Sequence, residues 1–74
     1  MSRETLDATG LKCPLPVLKA QKRLKAMATG ERLEIAATDP GAPGDLKALC
    51  EARGHRFVAE SEADGVFTVI VEKG

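Results

Sequence analysis

The side chains in this chain whose type and setting suggest a reaction are few: Cys13, Cys50, His55 and Asp39. Cys13 has the most specific setting, inside Thr9-Gly10-Leu11-Lys12-Cys13-Pro14-Leu15-Pro16-Val17-Leu18. Proline lacks a backbone donor and has a fixed φ, so it suits a first helical turn, where the N–H has no intrahelical partner anyway. The spacing therefore predicts a helix starting at Pro14, with Cys13 roughly at its N-cap. A helix start carries unpaired N–H groups and about half a positive charge. A thiolate placed there is favoured over a thiol, which lowers its pKa. The donors on offer are the N–H groups of Leu15, Val17 and Leu18, because Pro14 and Pro16 have none. Lys12 is the adjacent residue, and Lys19, Lys22, Arg23 and Lys25 follow. A fixed tip, a helix dipole and cationic surroundings suit a nucleophilic or sulfur-carrying cysteine.

The other candidates read differently. Cys50 falls on the apolar face of a second helical pattern, where a cysteine acts as a small hydrophobe. Two cysteines are too few for a disulfide framework or a closed zinc site. The count allows a Cys13–Cys50 disulfide, but a helix tip and a buried face are poor partners. His55, just after Gly54, could act as a base for Cys13, although nothing in the spacing requires it, and a helix-to-strand corner accounts for it. Asp39 precedes Pro40 at the end of a strand pattern. Sites gather at that edge of open α/β sheets, and an Asp before Pro is equally a turn former. Gly41-Ala42-Pro43-Gly44 has too little glycine patterning for a phosphate loop.

These residues must be positioned by a small scaffold. Seventy-four residues imply one domain, spanning 1–74, with a thin core. An apolar share of 43% argues against disorder. Trp and Tyr are absent and Phe occurs twice, so stacking platforms for single-stranded nucleic acid are hard to build. No apolar run approaches the ~20 residues of a membrane span, and Met1-Ser2-Arg3-Glu4-Thr5 has no apolar secretory core. The expectation is a soluble cytoplasmic protein. The formal charge is zero but unevenly spread: residues 1–30 carry six basic and two acidic side chains, and residues 31–74 carry five and nine. A positive face beside Cys13 suits an acidic partner or an anionic sulfur species; taken by itself, the simpler reading is a helix solvated by its lysines.

Periodicity gives the element order. Glu4–Ala8 alternates as a first strand, and Thr9-Gly10 turns into the cysteine loop. A helix over Pro14–Ala28 puts Val17, Ala20, Leu24 and Met27 on one stripe, helped by Leu18 and Ala28, with Gly30 as its C-terminal cap. Arg32–Thr38 is a strand with Leu33, Ile35 and Ala37 on one side. Asp39–Gly44 reads as a turn, and Asp45 caps a helix over Leu46–Arg53 that Gly54 ends. Arg56–Glu62 and Val66–Glu72 are strands joined by the hairpin turn Asp64-Gly65. The fold class is an α/β (α+β) two-layer sandwich, β-α-β-α-β-β, with a mixed four-stranded sheet and two helices on one face.

The motif Leu6-Asp7-Ala8-x-Gly10-Leu11-x-Cys13-Pro14-x-Pro16 resembles the signature of the TusA/SirA-like sulfur carriers. Gly30-Glu31-x-Leu33, Asp39-Pro40, Asp45, Gly54-His55 and Glu72-Lys73-Gly74 extend the likeness over about residues 4 to 74. Gly44 departs from it, since relatives often carry a charged residue there. The resemblance implies the same β-α-β-α-β-β sandwich. It implies that Cys13 accepts sulfane sulfur from a cysteine desulfurase or rhodanese-like donor, holds it as a persulfide and passes it to an acceptor protein. No metal or organic cofactor is needed. Outputs in the family include tRNA thiolation, cofactor biosynthesis and thiosulfate or sulfur metabolism. The chain then acts as a covalent carrier of the sulfurtransferase type. Lys12, Pro14, Pro16 and Asp39 would support the sulfur, and Lys19, Lys22 and Arg23 would dock partners. Three rival readings are a small regulatory or RNA-binding module using the basic face of the first helix, a thiol redox protein, and a member of the same family that delivers sulfur to a membrane transporter or a larger enzyme. Neutral total charge and missing Tyr and Trp count against the first. The absence of a Cys-x-x-Cys pair counts against the second.

Overall fold

The computed structural model describes residues 3–12 and 14–74. These form β1 (Arg3–Ala8), α1 (Leu15–Lys25), β2 (Arg32–Ala37), α2 (Ala42–Arg53), β3 (Arg56–Ala63) and β4 (Val66–Glu72). The sheet order is β1-β2-β4-β3. β1 runs parallel to β2, with Leu6 opposite Ile35 and Ala8 opposite Ala37. β4 is antiparallel to both β2 and β3, so β3 runs parallel to β2 with β4 inserted between them. Both parallel crossovers thus move the same way across the sheet. Right-handed crossovers then put α1 and α2 on one face, where they pack against each other and the sheet.

The expected sandwich is the observed one. β2 buries every second residue, Leu33, Ile35 and Ala37, as a strand covered on one face must. Val69 and Val71 of β4 lie opposite Ile35 and Leu33. Ala20 and Leu24 of α1, and Leu46, Leu49 and Cys50 of α2, close the core over them. Asp64 (φ 52°) and Gly65 (φ 79°) make the hairpin turn. Two consecutive positive φ values match the right-handed twist of the flanking strands. Gly54 ends α2 in the left-handed conformation, at φ 76°.

Three helix boundaries differ from the sequence reading. α1 starts at Leu15, with Pro14 as its N-cap, not at Pro14. It ends at Lys25, not Ala28, because the next N–H groups tighten to i−3 bonds: Ala26 to Arg23 O and Met27 to Leu24 O, each 3.1 Å. Glu31 then closes a loop by accepting the Ala28 N–H at 2.8 Å and donating its own N–H to Ala28 O at 3.1 Å. Gly30 is therefore not the cap; it lies in this loop, its N–H bonded to Lys73 O at 2.8 Å. α2 starts at Ala42, four residues before Leu46. Asp39 supplies acceptors to its first turn, Oδ2 to Gly41 N–H at 3.2 Å and O to Ala42 N–H at 3.0 Å. Pro43 falls where no donor is required. Asp45 is thus a first-turn acid rather than the cap. The apolar stripe holds at Ala20, Leu24 and Met27 and takes in Pro16; Val17 is only partly buried, Ala28 is exposed and Leu18 is 54% exposed.

Leu24→Ala is expected to cost about 2–5 kcal/mol of unfolding free energy, the range for emptying a packed leucine site. Leu18→Ala, on the same helix, is expected to change it by no more than about 0.5 kcal/mol. Urea denaturation of the two variants checks the assignment of faces.

Candidate functional site

The loop between β1 and α1 is built by short-range bonds and one long-range clamp. Asp7 Oδ1 accepts both the Thr9 N–H at 3.0 Å and the Thr9 O–H at 2.6 Å. These bonds hold the Asp7 carboxyl below its ordinary range, the hydroxyl contributing most, and Lys19 adds a smaller pull in the same direction. Gly10 takes φ 79° and donates its N–H to Thr38 Oγ1 at 2.8 Å. The loop after β1 is thereby tied to the end of β2, at the carboxyl edge of the parallel pair. Leu11 N–H reaches back to Ala8 O at 3.3 Å, and Leu15 N–H to Lys12 O at 2.8 Å. The chain thus leaves the sheet, closes on itself and enters α1 within a few residues.

Cys13 lies outside the described residues, so its geometry is read only from its covalent neighbours. Lys12 and Pro14 are both exposed, while Pro16 is buried beneath the helix start. Two of the three N–H groups expected to face a thiolate are engaged within the chain. Leu15 donates to Lys12 O at 2.8 Å and Leu18 to Pro14 O at 3.0 Å. Stabilisation of an anion at this tip therefore falls to the helix dipole and the nearby cations rather than to those two donors. The first turn of α1 carries no acidic residue to oppose it.

Around this tip the surface has two characters. Leu15 (47% exposed) and Leu18 (54% exposed) present apolar side chains to solvent. Pro14 and Val17 continue this apolar surface into an open groove of about 380 Å³ against Asp45, Ala48, Leu49 and Ala52 of α2. On the β1 side, Lys19, Lys22 and Arg23 gather over Leu6 and Ala26 around a hollow of about 300 Å³. Of these three expected docking residues, Arg23 is partly committed, with Nε at 2.9 Å from Glu4 Oε1 and Nη2 donating to Thr5 O at 3.1 Å. Asp39 sits at the same sheet edge as the loop, with a carboxylate oxygen engaged by Gly41.

The remaining candidates lie elsewhere. Cys50 is 2% exposed; burial, seconded by the Glu51 carboxylate, pushes its thiol pKa up, as suits an inert core sulfur. His55 lines a hollow with Gln21, Lys25, Arg53 and Lys73, beside the end of α1 remote from Pro14. Its Nδ1 accepts the Gly74 N–H at 3.1 Å. Burial, then Lys73 and Arg53, push its pKa down. Thr38, Leu15, Ala48 and Ala52 were not singled out by the sequence, and Leu18 was read as helping the buried stripe. The only signal for Leu15 was its angular offset from that stripe; the Thr38 clamp joins positions far apart in the chain and leaves no local pattern. Among the described residues, no three His, Cys, Asp or Glu side chains gather as a metal site, and no helix is long and apolar enough to cross a membrane.

Two titrations check this geometry. Thr9→Val removes the hydroxyl donor, so the Asp7 carboxyl is expected to titrate higher than in wild type while staying below the ordinary range through the remaining N–H bond; carboxyl NMR shifts read it directly. His55 favours the neutral ring when folded, so its stabilising contribution is present above the unfolded pKa of about 6.5 and declines as pH falls through that value toward the lower folded pKa. Arg53→Gln is expected to raise the His55 pKa, read from ring-proton shifts.

Comparison with known proteins identifies the family. The sequence model of the family described as sulfurtransferase TusA matches residues 4–73. A Neisseria meningitidis protein provisionally named a sulfur carrier protein is 56% identical over 72 residues, covering 97% of each chain. The sulfur carrier protein TusA of Allochromatium vinosum is 41% identical over 70 residues, covering 95% of this chain and 92% of that one. The crystal structure of a SirA-like protein from Desulfitobacterium hafniense superimposes with a TM-score of 0.84 at 28% identity, over 99% of both chains. With a family match that takes in both the cysteine loop and the whole sandwich, this chain belongs to the TusA family.

Proposed function

We propose that this chain is a sulfur carrier and that Cys13 is the atom it carries sulfur on. The observation that supports the reading best is the position of the Cys13 neighbours. Lys12 and Pro14 are exposed on a loop pinned to the sheet edge by the Gly10–Thr38 bond, at the positive end of α1. In the loading step the Cys13 thiolate attacks the terminal sulfur of a donor persulfide. A new S–S bond forms on Cys13, the donor's S–S bond breaks, and the donor sulfur leaves as a thiolate. Delivery is the same displacement with an acceptor group attacking the terminal sulfur of the Cys13 persulfide. Neither direction needs an external oxidant or reductant, because sulfane sulfur moves between thiols at constant oxidation level.

Each supporting residue has a physical task in this reading. Pro16 anchors the first turn in the core, and Pro14 sets the chain direction at the N-cap. Lys12 adds positive charge next to the sulfur, and Asp39 holds the start of α2 that forms the far wall of the apolar groove. Leu15 and Leu18 supply desolvated contact to a donor or acceptor protein, while Lys19, Lys22 and the free part of Arg23 steer acidic partner surfaces. Donors of the cysteine desulfurase or rhodanese-like class and protein acceptors fit this arrangement. A reducing cytoplasm suits a carrier that works through a free thiol.

Cys13→Ser is expected to fold with wild-type stability and to take up no sulfur. Mass spectrometry after incubation with a cysteine desulfurase and cysteine, or with thiosulfate and a rhodanese, is expected to show one-sulfur adducts on wild type only. Equal labelling of the Ser variant would discard the assignment.

A further inference from the structure

We propose that Gln21, Lys25, Arg53, His55 and Lys73 form a binding pocket for a tetrahedral oxyanion of the phosphate class, separate from the sulfur site and independent of the carrier reading. The five side chains come from α1, the end of α2, the corner before β3 and the residue after β4, and they line an open hollow of about 210 Å³. Three are basic side chains, Lys25, Arg53 and Lys73, and none of them takes part in an ion pair among the described residues. The chain is formally neutral, so three cations around one hollow with no carboxylate in its lining is a local excess.

The bland account is that Lys25 and Arg53 only offset the dipoles of α1 and α2, whose last residues they are. Each helix end contributes about half a negative charge, so two ends cancel about one cation of three. The remainder is net positive; burial does most to lower the His55 pKa, and the smaller contributions of Lys73 and Arg53 carry that positive sign at the ring. His55 is also preset as a donor. Its Nδ1 accepts the Gly74 N–H, which leaves the proton of the neutral ring on Nε2. Guanidinium, ammonium, amide and imidazole donors together match an anion with several acceptor oxygens and more than one negative charge. The pocket begins about 10 Å along α1 from Pro14, counting from the helical rise, so an ion bound there would not touch the cysteine loop.

The test is an amide and side-chain NMR titration of the full chain at constant ionic strength, with inorganic phosphate and a nucleoside 5′-monophosphate as probes and chloride as control. The expected result is saturable shifts at Gln21, Arg53 and His55 with one or both phosphates, and about tenfold weaker binding in Arg53→Gln and in Lys73→Gln. Lys19→Gln and Lys22→Gln, on the other cationic patch, are expected to leave the affinity unchanged. The tighter of the two probes tells whether the phosphate is taken free or as a monoester. Shifts that do not saturate, that spread equally over Lys19 and Lys22, or that survive unchanged in both pocket variants would overturn the proposal. Sulfur loading on Cys13 is read separately, so neither result depends on the other.

Discussion

The parallel pairing of β1 with β2 is the constraint from which the site follows. A parallel neighbour obliges the chain to cross over the sheet, and the crossover here is α1. The loop that starts α1 must therefore sit at the carboxyl edge of both strands, where the Gly10–Thr38 bond fastens it. The second crossover, through α2, begins at that same edge because β2 ends there. Two helix starts, the cysteine loop and the Asp39 turn are thus gathered by topology before any side chain acts.

Packing then decides what the edge presents. Pro16 is buried with Ala20 and Leu24, which rotates Leu15 and Leu18 outward. Apolar side chains left in water near a helix start cost little in a fold with a closed core, and they give a partner something to desolvate. The same rotation puts Lys19 and Lys22 on the β1 side. The surface next to the cysteine loop is therefore apolar toward α2 and cationic toward β1, an arrangement that orients a partner as well as attracting it. Cys50 is spent inside the core, where burial keeps its thiol protonated, so the two sulfurs have opposite environments by position alone.

How far the amino-acid pattern carried depends on the range of the interactions involved. The alternation of Leu33, Ile35 and Ala37 and the Asp64-Gly65 turn are local, and the observed elements agree with them. That both helices share a face followed from handedness on the condition that both crossovers run the same way, and the strand order β1-β2-β4-β3 meets that condition. Gly41-Ala42-Pro43-Gly44 misled because turn-forming residues also fill a first helical turn when Asp39 supplies the acceptors. The end of α1 was set by Glu31 closing on Ala28, a side-chain bond that periodicity cannot see. Leu18 was assigned to the buried stripe although it lies about 100° beyond Val17 around the helix, and Val17 itself is only partly buried. The family likeness supplied what neither range could, the identity of the group that Cys13 would carry.

The account turns on Cys13 as the sole seat of transferable sulfur. Cyanide attacks the terminal sulfur of a persulfide and leaves as thiocyanate, so thiocyanate released from loaded, gel-filtered protein counts that sulfur directly. Wild type and Cys50→Ala are expected to release equal amounts, approaching one per chain, and Cys13→Ser none. Release that persists in Cys13→Ser, or that disappears in Cys50→Ala with the fold intact, would contradict it.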